Sequence, residues 1–401
     1  MTNSNYIVRL KNNKYLAFYR MDNSIMCREY VSDKWTKEQV LVRETREHFS
    51  ITLNEEGKIY IVCQSSNGNI MLCTNEQGEF NTRIILENKK AEVYDVFMTP
   101  IISKNGLCLI YNVVDRDNNY YLAFQGVSES GGWLPIEKID NSSSISNYLY
   151  EVHTVAKEHV IVFYKTKAED YTIAYRELTP RKKGSINIVC SSNYRVIDTS
   201  FLITQREMHA VYIVKTLFST QLYYRRNDDG KFRQPVLLIE GQNLDNCILY
   251  FLKGELHVTC TSNNTLLTCH SKDGGKSFGK AIKHRLRIDA NSIKATYISE
   301  EPQNENNLFT TQVYVNSSEP YNVQLFPQIY EGFYHSSVKI MEAPFQEVRE
   351  DSEEEEFEKA EILKNKIEMG VRQNLEKDKQ ILELTQLLKL KNEEIMKMKK
   401  P

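Results

Sequence analysis

Residues 58–86 read KIYIVCQSSNGNIMLCTNEQGEFNTRIIL, and this stretch decides the fold. An apolar run is followed by a polar turn, a second apolar run, a turn with glycine and phenylalanine, and a third apolar run. Short apolar runs rich in β-branched and aromatic residues, separated by Asn and Gly, are typical of antiparallel strands joined in hairpins.

The same pattern recurs along the chain with a period of about 50 residues. Each copy is preceded by one more apolar run, so a copy contains four short strands. Seven such copies predict an all-β fold, a seven-bladed β-propeller over residues 1–342, and an array of β-sandwiches is the alternative. The copies begin at Tyr15, Lys58, Leu107, His159, Met208, Leu256 and Leu308, the last being the weakest.

The cysteines support this alignment of the copies. Cys63 and Cys260 fall at the same place in their second strands, and Cys73 and Cys269 match in the third. The eight cysteines are scattered through apolar runs without the spacing of a zinc site. We therefore expect reduced, buried thiols, with a few disulfides of an exported protein as the alternative.

The turn HSKDGGKSFGK, residues 270–280, is the sharpest local motif. Its Gly-rich polar tip between two apolar runs predicts a β-hairpin. The spacing of Ser271, Asp273, Gly275, Ser277 and Phe278 resembles the Asp box of sialidases and other β-propellers. The resemblance implies a structural turn between the two outer strands of a blade, with its aromatic ring between sheets and away from any catalytic face.

Membership of the sialidase-like superfamily would also imply three arginines, a Tyr–Glu nucleophile pair and an aspartic acid. Arg9 stands near the place of the first arginine, without the proline of that motif, and the sequence does not locate the other two. We therefore predict no catalytic residues. A glycoside hydrolase of the sialidase-like type is the alternative.

An acidic residue stands at or just before the first strand of five successive copies: Glu47, Asp95, Glu151, Asp198 and Asp245. In a propeller these positions would lie at one mouth of the central channel. Five carboxylates there would form a ring able to hold a divalent cation or a cationic ligand. The alternative is that each acid ends its loop and accepts bonds from local backbone.

The composition changes near residue 347. An acidic linker over 343–356 precedes a segment, 357–400, that carries no proline and follows a heptad pattern, which predicts a helical coiled coil. We expect homo-oligomers through residues 357–398, parallel or antiparallel, with a solvated single helix as the alternative. The core positions include Ile367, Asn374, Ile381, Leu384, Leu388 and Ile395.

The net charge of −2 argues against a nucleic-acid binder, and no apolar run is long enough to span a membrane. No signal peptide is visible, so a cytoplasmic location is expected. No cofactor or metal motif is present. The sequence thus favours a non-enzymatic propeller that binds a protein, peptide or glycan, for which loop tyrosines such as Tyr150 and Tyr194 would provide stacking surfaces.

Overall fold

A computed structural model describes residues 5–323 except 12–13, 32–33, 77, 90–92, 94, 104–105, 115–119, 129–131, 143–149, 157–158, 167–170, 180–181, 205–206, 288–291, 302–307 and 317–321. The chain divides into two compact units, Met1–Ser336 and Ser337–Pro401, and all described residues belong to the first. The predicted linker and coiled coil lie outside the described residues.

The described residues form β-strands and turns without a helix, which confirms the all-β prediction. No described helix could therefore cross a membrane. The described residues form thirty strands, of which the first 26 make six successive sheets. These are β1 Tyr6–Arg9, β2 Tyr15–Met21, β3 Ser24–Val31, β4 Lys34–Trp35 and β5 Gln39–Val42; β6 Thr45–Leu53, β7 Ile59–Ser65, β8 Ile70–Glu76 and β9 Glu79–Leu86; β10 Phe97–Ser103, β11 Gly106–Val114, β12 Tyr120–Gln125 and β13 Glu137–Ser142; β14 Tyr150–Ala156, β15 His159–Lys165, β16 Tyr171–Thr179, β17 Lys182–Lys183 and β18 Asn187–Ser192; β19 Arg195–Ile203, β20 Met208–Lys215, β21 Thr220–Asn227 and β22 Val236–Gly241; β23 Leu244–Leu252, β24 Glu255–Ser262, β25 Thr265–Ser271 and β26 Ile282–Arg287.

In each sheet the pairing of the third strand with the outermost long strand contains a register shift at the same place. In the first sheet Ile25 pairs with Val42 but Met26 pairs with Val40, so Leu41 is an extra, bulged residue. Ile85, Val189 and Leu238 are bulged in the same way in the second, fourth and fifth sheets. A bulge turns one residue out of alternation, which explains why these outer strands read as three consecutive apolar residues.

The sheets pack face to face in a closed ring. Separate apolar cores join the first sheet to the second, the second to the third, and so on to the sixth, and a further core joins the sixth to the first. All eight cysteines are free and buried, as predicted, in these interiors. Burial raises the pKa of the Cys63 thiol to about 12, so it stays protonated.

The chain that follows the sixth sheet contains four more strands: β27 Ser292–Ser299, β28 Leu308–Thr310, β29 Gln312–Asn316 and β30 Asn322–Val323. We call residues 292–301 and 308–316 the bridging hairpin. It connects the first strands of the first and sixth sheets. Strand β27 pairs in parallel with β1, and β28 pairs antiparallel with β23. The predicted seventh copy thus extends existing sheets in the described chain and makes no four-stranded sheet of its own; β28 and β29 are only three and five residues long.

Candidate functional site

One position on the third strand of every sheet lies two residues after the bulge. In the first sheet it is Arg28, which is paired across the ladder with the small residue Ala17. Side chains at this position face the preceding sheet of the ring; Cys73, for example, is buried in the core between the first and second sheets. The equivalents of Arg28 are Cys73, Gln125, Arg176, Arg225 and Cys269.

In the fourth and fifth sheets the arginine at this position is fully paired. Arg225 donates from Nε to Arg233 O at 2.6 Å, from Nη2 to Phe232 O at 3.0 Å, and from Nη1 to the bulged residue of the preceding sheet, Val189 O. Arg176 donates to Asp140 Oδ2 of the preceding sheet at 3.2 Å and to Gly184 O at 2.8 Å. Both arginines therefore join neighbouring sheets.

Arg28 differs from them. Its Nε and Nη1 are buried without a hydrogen-bond partner among the described residues. Its Nη2 lies 3.7 Å from Glu38 Oε1, and the side chain is 14% exposed. A buried donor without an acceptor costs free energy, so the two donors on this guanidinium lack an acceptor that a bound water or a ligand would supply.

Polar and aromatic side chains lie beside Arg28. Tyr19 donates its hydroxyl to Glu38 Oε1 at 2.8 Å, and burial together with this bond raises the pKa of Tyr19. The Glu38 side chain is 29% exposed. Tyr30 and Trp35, with ring centroids 5.2 Å apart, form a half-buried aromatic wall on the same sheet. We call Tyr19, Arg28, Tyr30, Trp35 and Glu38 the Arg28 cleft.

The bridging hairpin explains why the first sheet is the exception. For Arg176 and Arg225 the preceding sheet supplies an acceptor directly. Between the sixth and first sheets the core instead contains Ala295, Tyr297 and Val313 of the hairpin. In the described structure no group of the sixth sheet bonds the Arg28 guanidinium, whereas Val189 O bonds Arg225.

The predicted ring of five carboxylates is placed as follows. Asp198 accepts from Lys294 Nζ of the bridging hairpin at 2.6 Å and from Cys247 N at 2.6 Å. Lys294 also donates to Thr199 O at 2.8 Å. Burial alone would lower the pKa of Lys294, but Asp198 and other nearby acids hold it above its ordinary value. A protonated lysine of the chain itself is thus the cation beside Asp198.

The other four acids have partners of their own. Glu151 accepts from Gln312 Nε2 of the hairpin at 3.1 Å, and Asp245 accepts from Asn246 N at 2.8 Å. Asp95 is exposed and paired with Arg46, and Glu47 is exposed with its carboxylate 3.9 Å from His48 Nε2. The described residues contain no group of three or more His, Cys, Asp or Glu side chains arranged to hold a metal ion. Asp198, Glu151 and Asp245 therefore interact with Lys294 of the hairpin, whereas Asp95 is paired with Arg46 and Glu47 lies beside His48.

The Asp-box residues form a closed turn at the end of β25. Asp273 accepts from Ser271 Oγ at 2.7 Å, from Lys276 N at 2.9 Å, and from Ser277 N and Oγ at 2.9 and 2.6 Å. These donors, the Ser277 hydroxyl first, lower the pKa of Asp273. Gly275, at φ +84°, accepts no side chain, because a Cβ there would overlap the Tyr224 hydroxyl. Phe278 packs edge-on against Tyr224 of the fifth sheet, with centroids 4.7 Å apart.

A buried histidine lies under this turn. His209 is 1% exposed, and its Nδ1 lies 2.7 Å from the Tyr224 hydroxyl. Burial, helped by the Arg226 guanidinium, lowers the pKa of His209 to about 4. The imidazole is therefore neutral near pH 7, and its role here is packing between the fifth and sixth sheets.

Other sequence candidates fall elsewhere. Tyr150 was expected in a loop, but it begins β14, and its hydroxyl lies within hydrogen-bond distance of Phe97 O at 3.0 Å and Ile110 O at 2.9 Å, so it offers no stacking surface. Tyr194 is 45% exposed. Arg9 ends β1, where it pairs with Tyr15. The Arg28 cleft was not predicted, although MCREY, IAYRE and YYRRN place an arginine at the same point of three copies.

The comparisons with known proteins concern the fold. No protein-family model matches the chain, and no curated protein matches it in sequence. Among solved structures, the BP39L lectin from Burkholderia pseudomallei is 8% identical with a TM-score of 0.50, covering 80% of this chain and 98% of that one. The fucose-specific lectin from Aleuria aurantia is 10% identical (TM-score 0.43; 70% and 95%), and the SapL1 lectin in complex with alpha methyl fucoside is 9% identical (0.44; 72% and 97%). The similarity to BP39L supports a β-propeller fold for this chain.

Proposed function

We propose that the chain is a non-enzymatic glycan-binding propeller, that the Arg28 cleft takes the sugar, and that residues 357–398 join several copies into a multivalent assembly. The unpaired Nε and Nη1 donors of Arg28 beside the Glu38 carboxylate carry this proposal. That BP39L, a structure with a similar fold, is a lectin agrees with it.

The chemistry of the cleft suits a sugar. A hydroxyl both donates and accepts, so one hydroxyl or a neighbouring pair can accept from Arg28 and donate to Glu38 at the same time. The aromatic wall of Tyr30 and Trp35 can cover the apolar face of a sugar ring. A hydrolase would need two carboxylates flanking the scissile bond, and Glu38 is the carboxylate found against Arg28 in the described structure.

A glycan array probed with the full-length chain tests the proposal. We expect binding to a defined set of glycans, weakened about tenfold or more in Arg28→Met and in Glu38→Gln, because each loses a buried polar contact to the ligand. Lys37→Met is the matched control, since Lys37 is exposed on the same sheet and should leave binding unchanged. Binding that is equal in all four proteins, or no binding to any glycan, contradicts the proposal.

Light scattering on the same full-length chain tests the multivalent part. An oligomer at micromolar concentration would present several clefts to one surface, which can strengthen binding about 10²- to 10⁴-fold without new contacts. A monomer mass would remove the multivalent assembly and leave the cleft to be judged by the array alone.

A further inference from the structure

The outer hairpin of the sixth sheet carries a concentrated positive charge. Residues 270–287 contain six Lys or Arg residues and one acid, Asp273, in a chain whose net charge is −2. The lysines whose side chains are described, Lys272, Lys276, Lys280 and Lys283, are all exposed. We call these four the lysine ridge.

The only acid of this stretch forms no ion pair with the ridge lysines in the described structure. Asp273 is occupied by four donors inside its own turn, two of them from Ser277. Within the described structure Lys276, Lys280 and Lys283 make no ion pair, and Lys272 lies 3.8 Å from Glu255. On the neighbouring fifth sheet Asp228 Oδ2 forms ion pairs with Arg226 Nη2 at 2.7 Å and with Arg233 Nη2 at 2.5 Å. The ridge therefore keeps most of its charge available.

The turn also fixes the backbone that carries these lysines. Ser271 Oγ accepts from Gly275 N at 2.8 Å, His270 O accepts from Gly279 N at 3.0 Å, and Phe278 is anchored against Tyr224. Because the backbone is already fixed, a ligand of the ridge would not bear the entropy cost of ordering it.

We propose that the lysine ridge binds an acidic polysaccharide carrying sulfate or carboxylate groups, at a site separate from the Arg28 cleft. Lysines supply point charges that suit such groups and do not read bases. The aromatic residue of the hairpin, Phe278, is half-buried against Tyr224, so it is not a stacking platform of the kind that single-stranded nucleic acids use. The choice of a polysaccharide over another polyanion rests on the proposed glycan-binding function.

The test measures binding of the full-length chain to heparin, a sulfated polysaccharide, over a range of salt concentrations. We expect affinity that falls steeply with salt, and a loss of about tenfold or more when the four ridge lysines are replaced by Gln. The control replaces four exposed lysines on other sheets, Lys37, Lys89, Lys215 and Lys231, by Gln, which changes the net charge equally. Equal heparin affinity in the two quadruple variants, or no heparin binding by the unsubstituted chain, overturns the proposal.

Two further arms separate the alternatives. Arg28→Met should keep its heparin affinity, and the ridge variant should keep its affinity for glycans of the Arg28 cleft, so the two proposals can fail independently. A DNA duplex that binds more tightly than heparin through the same lysines would overturn the polysaccharide assignment. Melting temperatures should agree between the quadruple variants, because all eight lysines are exposed.

Discussion

Arg28 of the first sheet and Arg225 of the fifth sheet occupy one position in the repeat, and both are paired across the ladder with an alanine, Ala17 or Ala210. Arg225 uses all three of its nitrogens on backbone carbonyls, one of them in the preceding sheet. Arg28 leaves two nitrogens unpaired. The difference teaches that the same side chain at the same position can join two sheets or keep unpaired donors, which we propose serve a ligand at Arg28, and only the surrounding acceptors distinguish the two cases.

The largest effect is expected where this difference originates, at the bridging hairpin. Lys294→Met removes the cation beside Asp198 and leaves a half-buried carboxylate unpaired, which should lower the free energy of unfolding by about 3–5 kcal/mol. Chemical denaturation measures this loss.

A second substitution checks its cause. Asp198→Leu in the Lys294→Met background should recover most of the stability, because the unpaired charge is gone. Lys215→Met, an exposed lysine of the fifth sheet, should have little effect. If the double variant is no more stable than the single one, the ion pair does not secure the hairpin.

The next effect compares the two arginines directly. Arg225→Met leaves three carbonyl acceptors without their donor and should lower the free energy of unfolding by about 2–3 kcal/mol. Arg28→Met removes two unpaired donors and should change the free energy of unfolding by less than about 1 kcal/mol in either direction. Urea denaturation of the two variants gives both values. Equal losses would mean that Arg28 is also structural, and the contrast would be lost.

A smaller loss of stability is expected when the pH is lowered, because of a histidine between the fifth and sixth sheets. The pKa of His209 is about 4 in the folded chain and about 6.5 when unfolded, so its neutral form favours folding above pH 6.5. That stability is lost as the pH falls from 6.5 through 4, with about 2 kcal/mol gone at pH 5.

Denaturation at pH 7 and pH 5 measures this loss, and His209→Phe should remove part of the difference. His48, whose pKa burial also lowers to about 4, accounts for a further part and is the second site to replace. An unchanged pH dependence in His209→Phe would show that His209 titrates normally.

Much of the fold follows from the sequence because the signals are local. Apolar runs and Asn- or Gly-containing turns predicted the strands, and Asn263 and Asn264 indeed adopt the positive φ that such turns require. The sequence did not determine the number of blades. The strands of the last copy are short, and their partners, β1 and β23, are distant in sequence. Hydrophobic pattern alone does not specify which open edge a short strand joins.

The functional residues were harder to predict for a different reason. Because Asp198 and Asp95 stand at equivalent positions in their copies, the sequence placed them in one ring. In the structure Asp198 is paired with Lys294 of a distant segment, and Asp95 is paired with Arg46 of the adjacent sheet. The arginine of MCREY was visible in the sequence, but its unpaired donors depend on the hairpin that lies between two sheets. Long-range pairing, which a single sequence does not display, decided both cases.

The bridging hairpin also sets the order in which the ring can be completed during synthesis. Until residues 292–316 have left the ribosome, β1 and β23 present unpaired edges to solvent, and unpaired edges are where partly folded chains associate. The pairing of β1 with β27 closes a loop of nearly the whole propeller, and such distant contacts form slowly. The strand that is made first pairs early with β2 and is thus among the last to find its second partner.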